Sequence, residues 1–232
     1  MGEWLALTTP AGPVRAWLSR PDTSPSALPL GAVVVVQEIF GVNPHIRGVA
    51  DRFAQAGFTA MAPALFDPVI PGVESSYDDA GTALGRELAA ELGFERALQV
   101  VSAAARWLRE SGHRVGVVGF CWGGAFVNRL AVASGDKLSA GVVYYGTAPD
   151  SAEAPRVSAP LLIQLAGLDA RVNNSAFPWV AALRAANKPV VFQLYDGVNH
   201  AFNNDTSAER FNPPAADLAW KRTLAFFRAH LR

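Results

Sequence analysis

Two periods of apolar and polar residues alternate along the chain, and each change of period marks an element. Trp4–Thr8 and Val14–Leu18 alternate with period two around Pro10-Ala11-Gly12. They predict a β-hairpin at the edge of a sheet, with one flank of each strand facing water. Gly31–Val36 has no polar position, the pattern of a central strand covered on both sides. From Pro44 to Gln55 the apolar residues Ile46, Val49, Ala50 and Phe53 recur every three or four positions, which makes one face of a helix. Asn43 stands where it can cap that helix, Pro44 suits its first position and Gly57 stops it. Phe58–Ala62 is the next strand, ended by Pro63.

Residues 64–81 hold prolines, glycines and acids without a period, an irregular connection of the kind that borders sites. Thr82–Glu110 has helical composition with an interruption near Gly93. The strand Val115–Val118 follows, then a glycine-rich turn and the helix Trp122–Ala133. The rest alternates again: strand Ala140–Tyr145, strand Pro160–Leu165, helix Phe177–Ala186, strand Val190–Tyr195 and helix Ala215–Leu231. Such alternation predicts an α/β fold, with a mostly parallel central sheet, helices on both faces and the hairpin at its edge. The Pro-rich stretch Pro21–Pro29 reads as a link, because so small a hairpin needs the next strand to pack on. The expectation is a single domain over residues 1–232.

Composition narrows the function more than the fold. Half the residues are hydrophobic and 17% are charged, the balance of a globular chain. Lys+Arg and Asp+Glu are equal at 20 each, so no net field draws nucleic acid or an anionic membrane. One cysteine excludes an internal disulfide and a cysteine-cluster metal site. The start lacks a signal-peptide pattern and no apolar run reaches the ~20 residues of a membrane span, so a cytoplasmic protein is expected. No HExxH motif and no phosphate-cradling glycine motif follows the first core strand. Neither metal nor cofactor is expected.

In an open parallel sheet functional groups gather beyond the carboxyl ends of the strands. After Val36 comes Glu38; after Val118 comes Cys121, framed as Gly119-Phe120-Cys121-Trp122-Gly123; after Leu165 comes Asp169; after Tyr195 comes His200. A thiol, with a reference pKa of about 8.5, is mostly protonated at neutral pH. An imidazole can take its proton, and a carboxylate on the far ring nitrogen holds that imidazole in the useful tautomer. Cys121, Asp169 and His200 therefore read as nucleophile, acid and base. The N–H of Trp122, opening the following helix, and that of Ile39, after the first core strand, are the expected oxyanion donors. Glu38 reads either as a solvated or capping carboxylate or as a group that modulates the thiol. His45, His113 and His230 are expected to be structural.

The segments Gln37–Asn43, Gly119–Gly124, Gly167-Leu168-Asp169 and Asn199–Phe202 resemble, in this order, the dienelactone hydrolase (carboxymethylenebutenolidase-like) family of α/β-hydrolases. That resemblance implies the α/β-hydrolase fold and hydrolysis of small carboxylic esters or enol lactones through an acyl-enzyme on Cys121. It also implies a thiol-activating role for Glu38. One departure bears on substrate: the family's prototypes have an arginine four residues after the histidine, where this chain has Asn204. Arg86 and Arg171 are substitutes for it to be tested, and Tyr145 and Phe202 are expected near the substrate. Three functions stay open on sequence alone: the hydrolase, an acyltransferase sharing its acyl-enzyme, and a small-molecule binding protein that has lost turnover. Monomer and homodimer both remain open.

Overall fold

The computed structural model describes residues 2–22 and 30–232, so most of the link expected at Pro21–Pro29 lies outside the described residues. The chain divides into two compact units, residues 1–115 and 116–232. In the first, β1 (Glu3–Thr9) and β2 (Gly12–Ser19) form the antiparallel hairpin, and β2 pairs antiparallel with β4 (Thr59–Pro63). The strand β4 pairs parallel with β3 (Ala32–Val36). Every residue of β3 and β4 is buried, which is why neither strand alternates in sequence.

Helix α1 (Pro44–Gln55) has the expected bounds, and the Asn43 side chain accepts from the N–H of Ile46. Its buried stripe includes Ile46, Val49, Ala50 and Phe53; truncating a side chain like Phe53 to alanine costs ~3–5 kcal/mol in such a core. Helices α2 (Asp79–Leu92) and α3 (Phe94–Glu110) meet at Gly93, whose φ of +74° breaks the helix. The break falls where expected, but α2 begins three residues earlier than the composition predicts. Asp78 caps it by accepting from the N–H of Gly81, a local bond that overrides the poor helix propensity of the Asp79-Ala80-Gly81 start.

The second unit holds β5 (Val115–Phe120, from the last residue of the first unit), β6 (Ala140–Tyr144), β7 (Leu161–Ala166) and β8 (Val190–Tyr195), adjacent in that order and parallel. Its helices are α4 (Trp122–Ala133), α5 (Ala170–Ala185) and α6 (Pro213–His230). Side chains paired across strands share a face, so Gly116 and Ala140 look one way and Gly141 the other. A Cβ on Gly116 would meet Phe227 of α6, and one on Gly141 would meet Val127 of α4. The two helices therefore cover opposite faces.

Among the helices α5 departs furthest from its expected bounds. Helix α5 begins at Ala170, seven residues before the expected Phe177, with Asp169 as its N-cap and Pro178 inside it. Its first two turns, Ala170–Ala176, are too polar to read as a helix from periodicity. Capping and the packing of Val172, Asn173 and Ala176 in the interior override the missing pattern.

Candidate active site

Cys121 sits between β5 and α4 with φ +53° and ψ −115°, a conformation that side chains other than glycine's adopt at a cost of order 1–3 kcal/mol. The surroundings over-determine it. The Cys121 N–H donates to the Tyr144 carbonyl at 3.0 Å, and the Cys121 carbonyl accepts from the Gly124 N–H at 3.0 Å. A Cβ on Gly119 would lie 2.1 Å from the Gly123 carbonyl oxygen. Gly124 and Gly146 are pressed together so closely that a Cβ on Gly146 would lie 2.6 Å from the Gly124 backbone. Glycine spacing around the cysteine is thus a packing requirement, and it turns a half-buried thiol outward at the start of a helix. Trp122 is the first residue of α4, so its N–H lies in the first turn, at the positive end of the helix dipole.

His200 follows β8 through the turn Asp196–Asn199. Its Nδ1 donates to Asp169 Oδ2 at 2.5 Å, with His200 24% and Asp169 6% exposed at the side chain. Asp169 serves twice, because its other oxygen accepts from the Val172 N–H at 3.2 Å and caps α5. The turn that carries it is tied down by Asn173, whose Nδ2 donates to the Ala166 carbonyl at 2.9 Å. It is also joined to the histidine turn, since the Leu168 N–H donates to the Val198 carbonyl at 3.0 Å. Sequence reasoning missed Asn173; the signal for it was an amide residue four positions after a strand-end aspartate.

Electrostatics follow from this geometry. Burial is the largest single influence on His200 and opposes its charged form, but the hydrogen bonds and charges of Asp169 and Cys121 together outweigh it and raise the imidazole to about 9. For Asp169, burial again leads and favours the neutral acid; the bond and charge of His200, the Val172 N–H and Arg171 outweigh it, so its carboxyl titrates below the ordinary value. The imidazole thus lies between a carboxylate and a sulfur, and both favour its charged form.

Tyr145 and Phe202 are wholly buried. The Tyr145 ring lies 5.0 Å from the imidazole and 5.4 Å from Phe202, so Tyr145 backs His200, Phe202 packs on Tyr145, and neither exposes the surface expected of a substrate contact. Asn204 is also wholly buried, and its amide oxygen accepts from the Thr206 N–H at 3.0 Å and the Thr206 hydroxyl at 2.7 Å. Its Nδ2 has no hydrogen-bond partner. Arg171 is exposed near the start of α5, its charge felt at Asp169.

In the first unit Glu38 is 2% exposed and its Oε2 has no hydrogen-bond partner. A solvated strand-end carboxylate would be exposed, so burial removes the solvated reading and leaves the capping and the thiol-modulating ones. Gln37 fixes the turn by donating to the Glu38 carbonyl at 3.1 Å and accepting from the Leu65 N–H at 3.0 Å. The Ile39 peptide is held by Gly85 of α2, where a Cβ would lie 2.0 Å from the Ile39 carbonyl oxygen. Arg86, the next residue, is exposed. Among the described residues no cluster of three metal-ligating side chains occurs, and no helix is long and apolar enough to cross a membrane.

The sequence model of the Dienelactone hydrolase family matches residues 14–231. A protein named "Putative carboxymethylenebutenolidase" from Escherichia coli O157:H7 is 33% identical over 229 residues, covering 93% of this chain and 82% of that one. One of the same name from Azospirillum brasilense is 35% identical over 213 residues, covering 88% and 89%. Among solved structures, the "Putative Dienelactone Hydrolase" of Klebsiella pneumoniae superposes with a TM-score of 0.83 at 31% identity, over 98% of each chain. With the mostly parallel sheet and flanking helices, this similarity fixes the fold as that of the α/β-hydrolases.

Proposed function

This chain belongs to the dienelactone hydrolase family, and from that premise we propose that it hydrolyses small carboxylic esters or enol lactones with Cys121 as nucleophile, His200 as base and Asp169 as orienting acid. The observation that carries the proposal is the Cys121–His200–Asp169 line, with an imidazole raised to about 9 between its two partners.

The chemistry runs as follows. With the Sγ proton already held on His200, the sulfur attacks the substrate's carbonyl carbon. The carbonyl π electrons move to oxygen, and the Trp122 N–H stabilises that oxyanion, with the Ile39 N–H as the second donor. Losing one such donor typically costs ~2.7–4 kcal/mol of transition-state stabilisation. As the tetrahedral species collapses, the C–O bond breaks and His200 returns its proton to the leaving oxygen. The product is a thioester on Cys121. Water then attacks the thioester while His200 accepts its proton, and the acid leaves with the thiol restored. Asp169 holds Nδ1–H throughout and so presents Nε2 to the reacting atoms. Glu38 modulates the thiol, a role that its burial supports.

The acyl groups are neutral on this reading. Asn204, at the position of the prototypes' arginine, is interior and bonded to Thr206, and it carries no charge to pair with a carboxylate.

Activated esters and lactones with neutral and carboxylate-bearing acyl groups test both parts. Wild-type protein turns over the neutral substrates, iodoacetamide abolishes that turnover, and Cys121→Ala loses ~10⁶ in kcat while remaining folded, the scale seen when a hydrolase nucleophile is removed. Full activity in Cys121→Ala would overturn the mechanism. A preference for carboxylate-bearing acyl groups would overturn the substrate class alone.

A further inference from the structure

Strand β8 closes the order β5-β6-β7-β8 and has β7 as its one described neighbour. The Leu161 N–H donates to the Pro189 carbonyl and the Gly167 N–H to the Tyr195 carbonyl. In a parallel ladder alternate residues turn both backbone groups to the same side. The odd-numbered residues 189–195 therefore bond towards β7, while Val190, Phe192 and Leu194 turn their N–H and C=O outward. Between Val190 and Tyr195 there is no charge, proline or glycine, so the devices that protect a solitary edge are confined to the flanking Lys188, Pro189 and Asp196 and to the Arg184 guanidinium 5.8 Å from the Phe192 ring. Val191 and Leu194 are 45% and 39% exposed. On α5, Phe177 is exposed too, with its ring 6.1 Å from that of Phe192.

We propose that β8 is a homodimer interface, pairing antiparallel with β8 of a second copy about a two-fold axis at Phe192. Register and charge together identify the occupant. Outward-facing residues must face each other as hydrogen-bonded pairs, which sets Phe192 opposite its own copy and Val190 opposite Leu194. One step further out in the same register, Lys188 stands opposite Asp196 of the second copy. Asp196 is exposed and Lys188 half-buried. The two-fold axis makes that pair twice, whereas sliding the strands by two residues either way leaves both charges opposite uncharged residues. A second copy satisfies the edge, the apolar side chains and both charges at once.

Sedimentation of the 232-residue chain over a roughly hundredfold concentration range tests this. Wild type shows a monomer–dimer equilibrium. Lys188→Asp and Asp196→Lys each set like charges opposite one another twice per dimer and raise the dimer Kd about tenfold or more. The double variant K188D/D196K restores the pairs and returns Kd to within about threefold of wild type. Hydrogen exchange at Val190, Phe192 and Leu194 slows as concentration rises, while exchange at Val191 and Gln193, already bonded to β7, does not. Circular dichroism establishes that each variant is folded. A wild type that stays monomeric at every concentration would overturn the proposal, as would single variants that dimerise normally or a double variant without rescue.

Discussion

The turns that carry Cys121 and His200 both follow strands of the second unit, yet they are held by different means. At Cys121 the backbone does the holding: a φ of +53°, two backbone hydrogen bonds and glycines packed against backbone. At His200 side chains remote in sequence do it: Asp169 on one ring nitrogen and Tyr145 packed against the ring. A nucleophile must be aimed once and kept there, which backbone strain achieves. A base must change its charge during each half-reaction, and for that a carboxylate that stabilises the imidazolium is better suited.

This contrast predicts that the two turns break differently. Asp169→Asn removes the charge behind His200 but keeps a good N-cap for α5, so kcat falls by ~10⁴ with little loss of stability; steady-state kinetics alongside urea denaturation separate the two effects. A comparable fall in stability would mean that Asp169 matters mainly as a cap. Gly119→Ala acts the other way. Its Cβ would lie 2.1 Å from the Gly123 carbonyl oxygen, so the turn must open, with a loss of about 3 kcal/mol in stability as well as activity. Denaturation midpoints near those of wild type would show that the glycine frame is not a packing requirement.

A smaller effect sharpens the account of the histidine. Because His200 is raised from 6.5 to about 9 in the fold, protonation favours the folded state. Its contribution to stability is fully present below about pH 6.5 and is lost as pH rises through about 9. Wild type minus His200→Gln, compared by urea denaturation across that window, should show a stability difference that declines with pH. A difference that rises with pH would contradict the charges assigned to the site.

Much of this was legible in the chain because strand ends are legible. The runs ending at Val36, Val118, Leu165 and Tyr195 place Glu38, Cys121, Asp169 and His200 at the carboxyl ends, and their short, largely apolar composition locates those runs. The support behind the residues was not legible, since it depends on partners distant in sequence. Nothing near Gly85 announces that a backbone carbonyl presses on it, and nothing in Tyr145 distinguishes a ring that meets substrate from one that backs an imidazole. The start of α5 was hidden because Asp169, the proposed acid, is also its cap, while Asn173, Asn174 and Pro178 obscure the helical period. Where one residue has two duties, the pattern of either is blurred.

The central claim is that an acyl group passes through Cys121. Mixing the protein with an activated neutral ester, quenching in acid within one turnover and mapping the adduct by peptide mass spectrometry tests it most directly. The account predicts one acyl group per chain as a thioester on Cys121, accumulating further in Asp169→Asn if deacylation slows more than acylation, and absent from Cys121→Ala. An adduct on another residue, or product formed at the wild-type rate by Cys121→Ala, would contradict it.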